Sequence, residues 1–308
     1  MTEVNKALYS SYMANCAFNA FLSYTAITLN SVTIHAIRKT SSLPKPLKTL
    51  LLSLAVSDLG VGLIVQPLYI ALLVTEYSPS YRNMSLYIVY VSLMNLLSFA
   101  SFFGVTAITV DRFLAIHLHL RYQELVTHKR VVAVVISIWL LSASLSLTGL
   151  LAPARKDKYI VFAAIDVSCL ITTALLYCKI YLAVRHHANQ IHALQVQLDA
   201  QNGEMVNAAR LRKSAIGTFY VYLVFLVCYL PTICFYFVAF NSGWSTNVKI
   251  LASYSATLVF LNSSLNPLIY CWKMRQIQHT VMDIMRKIVP WKESGSLVQF
   301  IAATCETN

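Results

Sequence analysis

The chain has 308 residues, is 57% hydrophobic and 12% charged, and sets 24 lysines and arginines against 12 acids for a formal net charge of +12. Soluble domains carry roughly 25% charged residues, so this composition excludes an ordinary soluble enzyme and indicates a chain that lives in lipid. The positive balance does not indicate nucleic acid. The basic residues flank apolar runs in short clusters and do not interleave with an aromatic platform.

Seven apolar runs follow in chain order, approximately Tyr12–Ile37, Leu47–Val74, Ser85–His117, Val131–Ala152, Ile160–Val184, Ala215–Phe240 and Ile250–Trp272. Each has about the 20 residues a helix needs to span hydrocarbon. Barrel strands would be about ten residues with alternating polarity, which these are not. The expected fold is therefore an all-α membrane protein, a bundle of seven transmembrane helices over residues 12–272. The polar stretch from His186 to Lys213 is expected as a connection between runs five and six.

Lysine and arginine set the orientation. Arg38, Lys39, Lys45 and Lys48 follow run one, Arg112, Arg121, Lys129 and Arg130 run three, and Lys179, Arg185, Arg210, Arg212 and Lys213 run five. The positive-inside rule puts these loops and the C-terminus in the cytoplasm and residues 1–11 outside. Those eleven residues show no basic n-region or cleavage site, so run one is expected to act as an uncleaved anchor. After Trp272, Met274, Ile277, Val281, Ile284, Met285 and Ile288 recur at helical spacing, which implies an amphipathic helix over 273–289 on the inner leaflet and a tail over 290–308. The cysteines lie almost entirely within apolar runs, as packing residues do, so no disulfide is expected. Asn83-Met84-Ser85 is a glycosylation sequon close to a membrane edge.

Polar residues inside the runs carry the chemistry. Asp111-Arg112, followed by Phe113, places an acid and a base together at the cytoplasmic end of run three, where keeping charge is costly unless it is used. Asp58 lies midway through run two and needs a cation or a proton. Ser101, Asn262, Ser263 and Asn266 offer neutral oxygens at similar depth, so a small hard cation and a protonated structural network are equally open on the residues alone. Pro67, Pro231 and Pro267 interrupt runs two, six and seven, as static kinks or as hinges.

Together these residues resemble the rhodopsin-like G-protein-coupled receptors over nearly the whole chain. The resemblance is carried by Asn30, Leu54-Ala55-Val56-Ser57-Asp58, Asp111-Arg112-Phe113-Leu114-Ala115-Ile116, Trp139, Tyr177, Phe225 with Cys228-Tyr229-Leu230-Pro231, and Asn266-Pro267-Leu268-Ile269-Tyr270. It implies a plasma-membrane receptor that binds an extracellular ligand and activates heterotrimeric G proteins when the sixth helix swings outward, with arrestin a further partner. Arg112 would then contact the G protein and Asp111 restrain it. Leu120 would insert into a G-protein groove, and Tyr177 and Tyr270 would turn inward on activation. Phe225, Tyr229 and Pro231 would couple pocket to hinge. Asp58, Ser101, Asn262 and Asn266 would bind sodium as an allosteric modulator, which tilts the open question at Asp58 towards the cation.

Departures narrow the branch. Phe113 and Tyr229 replace the usual tyrosine and tryptophan, and His119 a loop proline. Cys169 stands where the fifth helix usually has proline, and Tyr87 where a disulfide cysteine is expected. With a short loop from Pro153 to Tyr159, this is similar to the melanocortin branch, within a group that includes adenosine, cannabinoid and lysophospholipid receptors. The acids of a melanocortin pocket are absent: Leu68, Tyr87 and Val91 stand there. Leu211 occupies the place of an acid that often pairs with the third-helix arginine, and Glu204 is two turns away, so appreciable basal signalling is expected. The pocket is expected from Tyr69, Tyr90, Met94, Asn95, Ser98, Asp166, Tyr229, Phe235, Tyr236 and Tyr254, for a small molecule, a lipid or a short peptide. Met94 takes the position at which amine receptors carry an aspartate, so a monoamine ligand is not expected. Two other classes were weighed. A transporter coupled through Asp58 would show repeated halves, and an enzyme would need metal-spaced or nucleophile–base residues; the sequence has neither pattern.

Overall fold

Lipid offers a backbone no outside hydrogen-bond partner, so long apolar runs close their hydrogen bonds within themselves as helices. The structure, a computed structural model, describes residues 3–75, 84–118, 121–151, 157–195, 202–243, 245–273 and 277–281, with the side chains of 3–9, 158, 183–195, 202–221 and 270–273 excepted. The helices are α1 (Glu3–Lys39), α2 (Lys45–Gly60), α3 (Gln66–Thr75), α4 (Met84–Leu118), α5 (Tyr122–Leu125), α6 (His128–Leu151), α7 (Asp157–Gln195), α8 (Asn202–Ser242) and α9 (Thr246–Lys273). A π-helical turn, Val61–Val65, joins α2 to α3 into one span. Seven spans result, formed by α1, α2–α3, α4, α6, α7, α8 and α9, and among the described residues there is no strand.

Several helices outrun the apolar runs. Helix α1 begins at Glu3, α7 continues to Gln195 and α8 starts at Asn202, so most of the stretch from His186 to Lys213, expected as a connection, is helical. Hydropathy marks where a helix touches hydrocarbon, whereas its ends are set by the next breaker or cap. At the end of α8, Gly243 adopts φ +66° and its N–H reaches the Ala239 carbonyl at 3.2 Å, the left-handed stop glycine permits. At the end of α1, Thr40 directs both its N–H and its hydroxyl to the Ala36 carbonyl, and Lys48 Nζ donates to the carbonyls of Arg38 (2.8 Å) and Thr40 (3.2 Å).

The bundle is polar inside and apolar outside. Leu140 is 67% exposed, Val227 65% and Phe237 70%, a surface suited to lipid. Within lie Asn19, Asn30, Asp58, Gln66, Asn262 and Asn266, all buried. Helix α4 contacts the spans of α2, α6, α7 and α8 and forms the axis of the bundle, while α1 packs on α2 and α9.

Two of the proline breaks meet a local remedy. Pro67 cannot donate to the Leu63 carbonyl, and the π-helical turn just before it absorbs the mismatch, with the Gly62 carbonyl accepting from Ser23 Oγ at 2.8 Å. Pro267 leaves the Ser263 carbonyl without a helical donor, and Asn30 Nδ2 supplies one at 2.9 Å. Gly62 also allows α1 to approach: an added Cβ would sit 3.0 Å from Ala26 Cβ and 3.2 Å from the Ile27 backbone nitrogen. At Gly104 the nearest atom would be Leu54 Cδ1 at 3.7 Å, an ordinary contact. Gly62→Val is therefore expected to destabilise the solubilised protein by about 1–3 kcal/mol and Gly104→Ala to be tolerated. Thermal unfolding of both variants checks this, and equal midpoints would refute the packing argument.

Candidate functional site

At one end of α4, Asp111 is buried while Arg112 reaches the surface with 16% side-chain exposure. Arg112 folds back on its neighbour, with Nη2 2.5 Å and Nε 3.1 Å from Asp111 Oδ2. The other carboxylate oxygen accepts from the Tyr122 hydroxyl at 2.7 Å. Helix α5 is a single turn, and its task here is to bring Tyr122 back beneath α4. Phe113 stacks on His117 one turn further along, ring centroids 5.4 Å apart. Among the described residues Arg112 has no ion-pair partner besides Asp111. The side chains of Leu211, Glu204 and Tyr270 lie outside the described residues, as do His119 and Leu120.

Above this end, α4 and α7 are joined by two hydrogen-bonded rungs. Thr106 and Thr173 hydroxyls are 3.3 Å apart, and Thr109 donates to the Tyr177 hydroxyl at 3.3 Å. Tyr177 is buried, with its ring 5.2 Å from that of Tyr222 on α8. Next comes a triangle of rings, Phe102, Phe225 and Tyr229, with centroids 4.3–5.0 Å apart. The three rings tie α4 to α8 one turn before Pro231, whose carbonyl accepts from Ser255 of α9 at 3.1 Å. Cys169 packs against the same core.

Midway along the bundle Asp58 is fully buried. Asn266 Nδ2 donates to its Oδ2 at 2.8 Å and Ser101 Oγ to its Oδ1 at 3.3 Å. Asn262 lies one turn before Asn266 on α9, and the side-chain oxygens of both asparagines are buried without a hydrogen-bond partner. A carboxylate with neutral oxygens close by is a donor set of the kind a hard cation takes. Of the expected ligand residues, Ser101 and Asn266 meet Asp58 by hydrogen bonds, Ser263 lies beside it, and Asn262 is one turn from Asn266 on α9.

The expected pocket residues fall into groups. Tyr69 stacks on Tyr90 (5.5 Å), and Tyr90 donates to Met94 Sδ at 2.9 Å. Asn95 faces α6, where a Cβ on Gly149 would meet it at 3.4 Å and Phe162 at 3.0 Å. Ser98 is partly buried on α4. Tyr236 joins Phe162 and Tyr159 of α7, both at 6.2 Å, and Phe235 lies 6.0 Å from Tyr159. Tyr254 stands apart from these, 45% exposed and sharing a hydrogen bond with Ser11 of α1 at 2.8 Å. Asp166 on α7 is buried.

Two features were missed in the sequence. Tyr122 is a lone loop aromatic with no periodicity to mark it. Asn15 and Asn19 build a network with Ser253 and Thr257 of α9, which Tyr69 enters through its hydroxyl, 2.8 Å from Ser253 Oγ. Their i, i+4 spacing inside an apolar run was a readable sign. Beyond α9, residues 277–281 are helical, Ile277 is fully buried, and Thr280 shares a hydrogen bond with Thr40 at 3.0 Å; residues 274–276 and 282–289 of the expected amphipathic helix lie outside the described residues.

Burial pushes the Tyr122 phenol up, and the hydrogen bond to Asp111 and that carboxylate's charge push it further the same way. Each penalises the phenolate, so the proton remains on Tyr122 as pH rises, and the bond's contribution persists below the ordinary phenol value of about 10 and fades only above it. The phenolate absorbance of wild type minus Tyr122→Phe is expected to show no ionisation below about pH 10. A step near neutrality would contradict the burial and bonding of this hydroxyl.

Comparison with known proteins agrees with this geometry. The family described as 7 transmembrane receptor (rhodopsin family) matches residues 29–171 and 156–270. The chain is similar to the adenosine receptor A2a of Canis lupus familiaris (24% identical, covering 92% of this chain and 76% of the relative), and to the adenosine receptor A2b of Bos taurus (23%; 89% and 90%). It is likewise similar to the melanocortin receptor 5 of Ovis aries (25%; 87% and 84%). With seven membrane-length helices and the Asp111-Arg112 pair at the end of the third, the chain belongs to the rhodopsin family of seven-transmembrane, G-protein-coupled receptors and is a multi-pass protein of the plasma membrane.

Proposed function

We propose that this receptor binds an extracellular ligand among α4, α7 and α8 and activates heterotrimeric G proteins through Arg112, with its N-terminus outside the cell and its C-terminus in the cytoplasm. The observation that carries the reading is the Asp111 carboxylate holding Arg112 on one oxygen and Tyr122 on the other. Outward movement of α8, hinged near Pro231, opens the bundle end and frees Arg112 for the G protein, with Leu120, Tyr177 and Tyr270 completing the contact and arrestin using the same opening. The ring triangle of Phe102, Phe225 and Tyr229 transmits ligand binding to that hinge. Because Leu211 supplies no acid, Asp111 is the main restraint on Arg112 and the receptor signals measurably without ligand. Such a receptor is a two-state equilibrium that ligand and G protein bias one way.

Sodium biases it the other way. Asp58, Ser101, Asn262 and Asn266 would hold the ion, which supplies the positive charge a buried carboxylate lacks. Binding to the closed bundle alone makes sodium an allosteric inhibitor.

Nucleotide exchange on a panel of G proteins is expected without added ligand and to fall at least about tenfold in Arg112→Ala, the loss expected when a charged contact worth about 1.5–3 kcal/mol is removed. Exchange by none of the panel at normal surface expression would sink the proposal. For the ion site, raising sodium at constant ionic strength is expected to lower basal exchange in wild type and to leave Asp58→Asn flat. An unchanged sodium response in Asp58→Asn would remove the ion from this position.

A further inference from the structure

Three acids are buried in the described bundle: Asp58, Asp111 and Asp166. Asp58 accepts from Ser101 and Asn266, and Asp111 from Arg112 and Tyr122. Asp166, 4% exposed, makes neither a hydrogen bond nor an ion pair among the described residues. It lies seven residues into the span that begins at Tyr159, about 10 Å along the helix. A carboxylate at that depth is costly to keep without a partner, and the described residues give it none.

Its surroundings indicate what would complete it. Phe162, one turn earlier on α7, packs edge-on against Phe99 of α4 at 5.6 Å and lies 6.2 Å from Tyr236 of α8. Tyr229 and Tyr236 of α8 lie within electrostatic range of Asp166. A metal ion wants several oxygens at once, and no group of three His, Cys, Asp or Glu side chains among the described residues could supply a metal site. Ring faces beside one carboxylate instead suit an organic cation, which gains a charge-assisted hydrogen bond on one side and cation–π contact on the others.

We propose that Asp166 is the counter-ion for a ligand carrying a protonated amine or amidinium, held from the fifth helix between the rings of Phe162, Tyr229 and Tyr236. The inference rests on the receptor reading above and names the chemistry of its ligand. Met94 removes the alternative of holding such a group from the third helix by an acid, so the cation sits nearer α7 and α8. That position places it against Tyr229, and so against the ring triangle that leads to the hinge.

The test uses full-length receptor in nanodiscs and matched probes that differ in charge: phenethylamine against N-acetylphenethylamine, and benzamidine against benzamide. In wild type, each cation is expected to raise the unfolding midpoint with half-saturation at least about tenfold below its neutral partner, the selectivity of one charge-assisted contact. That preference is expected to vanish in Asp166→Asn. No cation-selective stabilisation in wild type, or a preference unchanged in Asp166→Asn, overturns the proposal. If Asp166→Asn does not fold, Asp166→Glu keeps the charge one methylene further out. It is expected to shift half-saturation for the cations and not for the neutral probes, and identical behaviour to wild type likewise overturns the proposal. Nucleotide exchange on G protein that persists while the charge preference is missing rejects this ligand chemistry and leaves the signalling function standing.

Discussion

The Ser263 carbonyl is left without a helical donor by Pro267, and the amide of Asn30 repairs it at 2.9 Å. In water such a break would be solvated; in lipid the donor has to come from the protein. The same Asn30 nitrogen also serves the Ala26 carbonyl, so the first span is held to the seventh at a fixed height. Around that link Ser264 donates to the Leu22 carbonyl and Thr25 to Ser264. Fixing α9 there aims Asn266 at Asp58 and places Asn262 one turn above. The candidate ion site is therefore a consequence of how one proline is accommodated.

A polar interior follows from the same constraint. With hydrocarbon outside, apolar side chains gain little by turning inward, and the residues that distinguish one packing from another are hydrogen-bonding ones. Asn15, Asn19, Tyr69, Ser253 and Thr257 bind α1, the second span and α9 together at one end, while Thr106, Thr109, Thr173 and Tyr177 bind α4 to α7 nearer the other. Helix α8 meets α4 through packed rings, Phe225 and Tyr229 against Phe102, with Ser98 of α4 beside the Tyr229 hydroxyl.

Legibility in the sequence tracked the range of the interaction. Seven spans could be read because each is a local run of apolar residues, and Asp111-Arg112 because acid and base are adjacent. Asp58, Ser101 and Asn266 could be gathered by their depth in the runs and assigned to sodium by the family resemblance, but the meeting of Asn266 with Asp58 across 208 positions is a property of the fold. Helices α1, α7 and α8 extend beyond the apolar runs, because hydropathy records only where a helix touches hydrocarbon. The π-helical turn, the return of Tyr122 to Asp111 and the isolation of Tyr254 from the other pocket residues depend on tertiary contacts, and composition carries no sign of them. Asp166 was visible as an acid in an apolar run; that it lacks a partner among the described residues is a property of the fold alone.

The three buried acids differ in what they still require. Asp111 has both oxygens occupied by groups of the chain, one of them a full positive charge. Asp58 has neutral donors in Ser101 and Asn266, with Ser263 beside it. Asp166 has no donor among the described residues and follows Phe162 by one turn. The positive charge supplied to these acids by the described residues is thus confined to Asp111. A carboxylate in a low-dielectric interior either finds a cation or takes up a proton. The chain supplies the cation for Asp111, surrounds Asp58 with neutral oxygens, and leaves Asp166 to a proton or, as proposed, to the cation of a ligand held against Tyr229, which lies on the helix proposed to move.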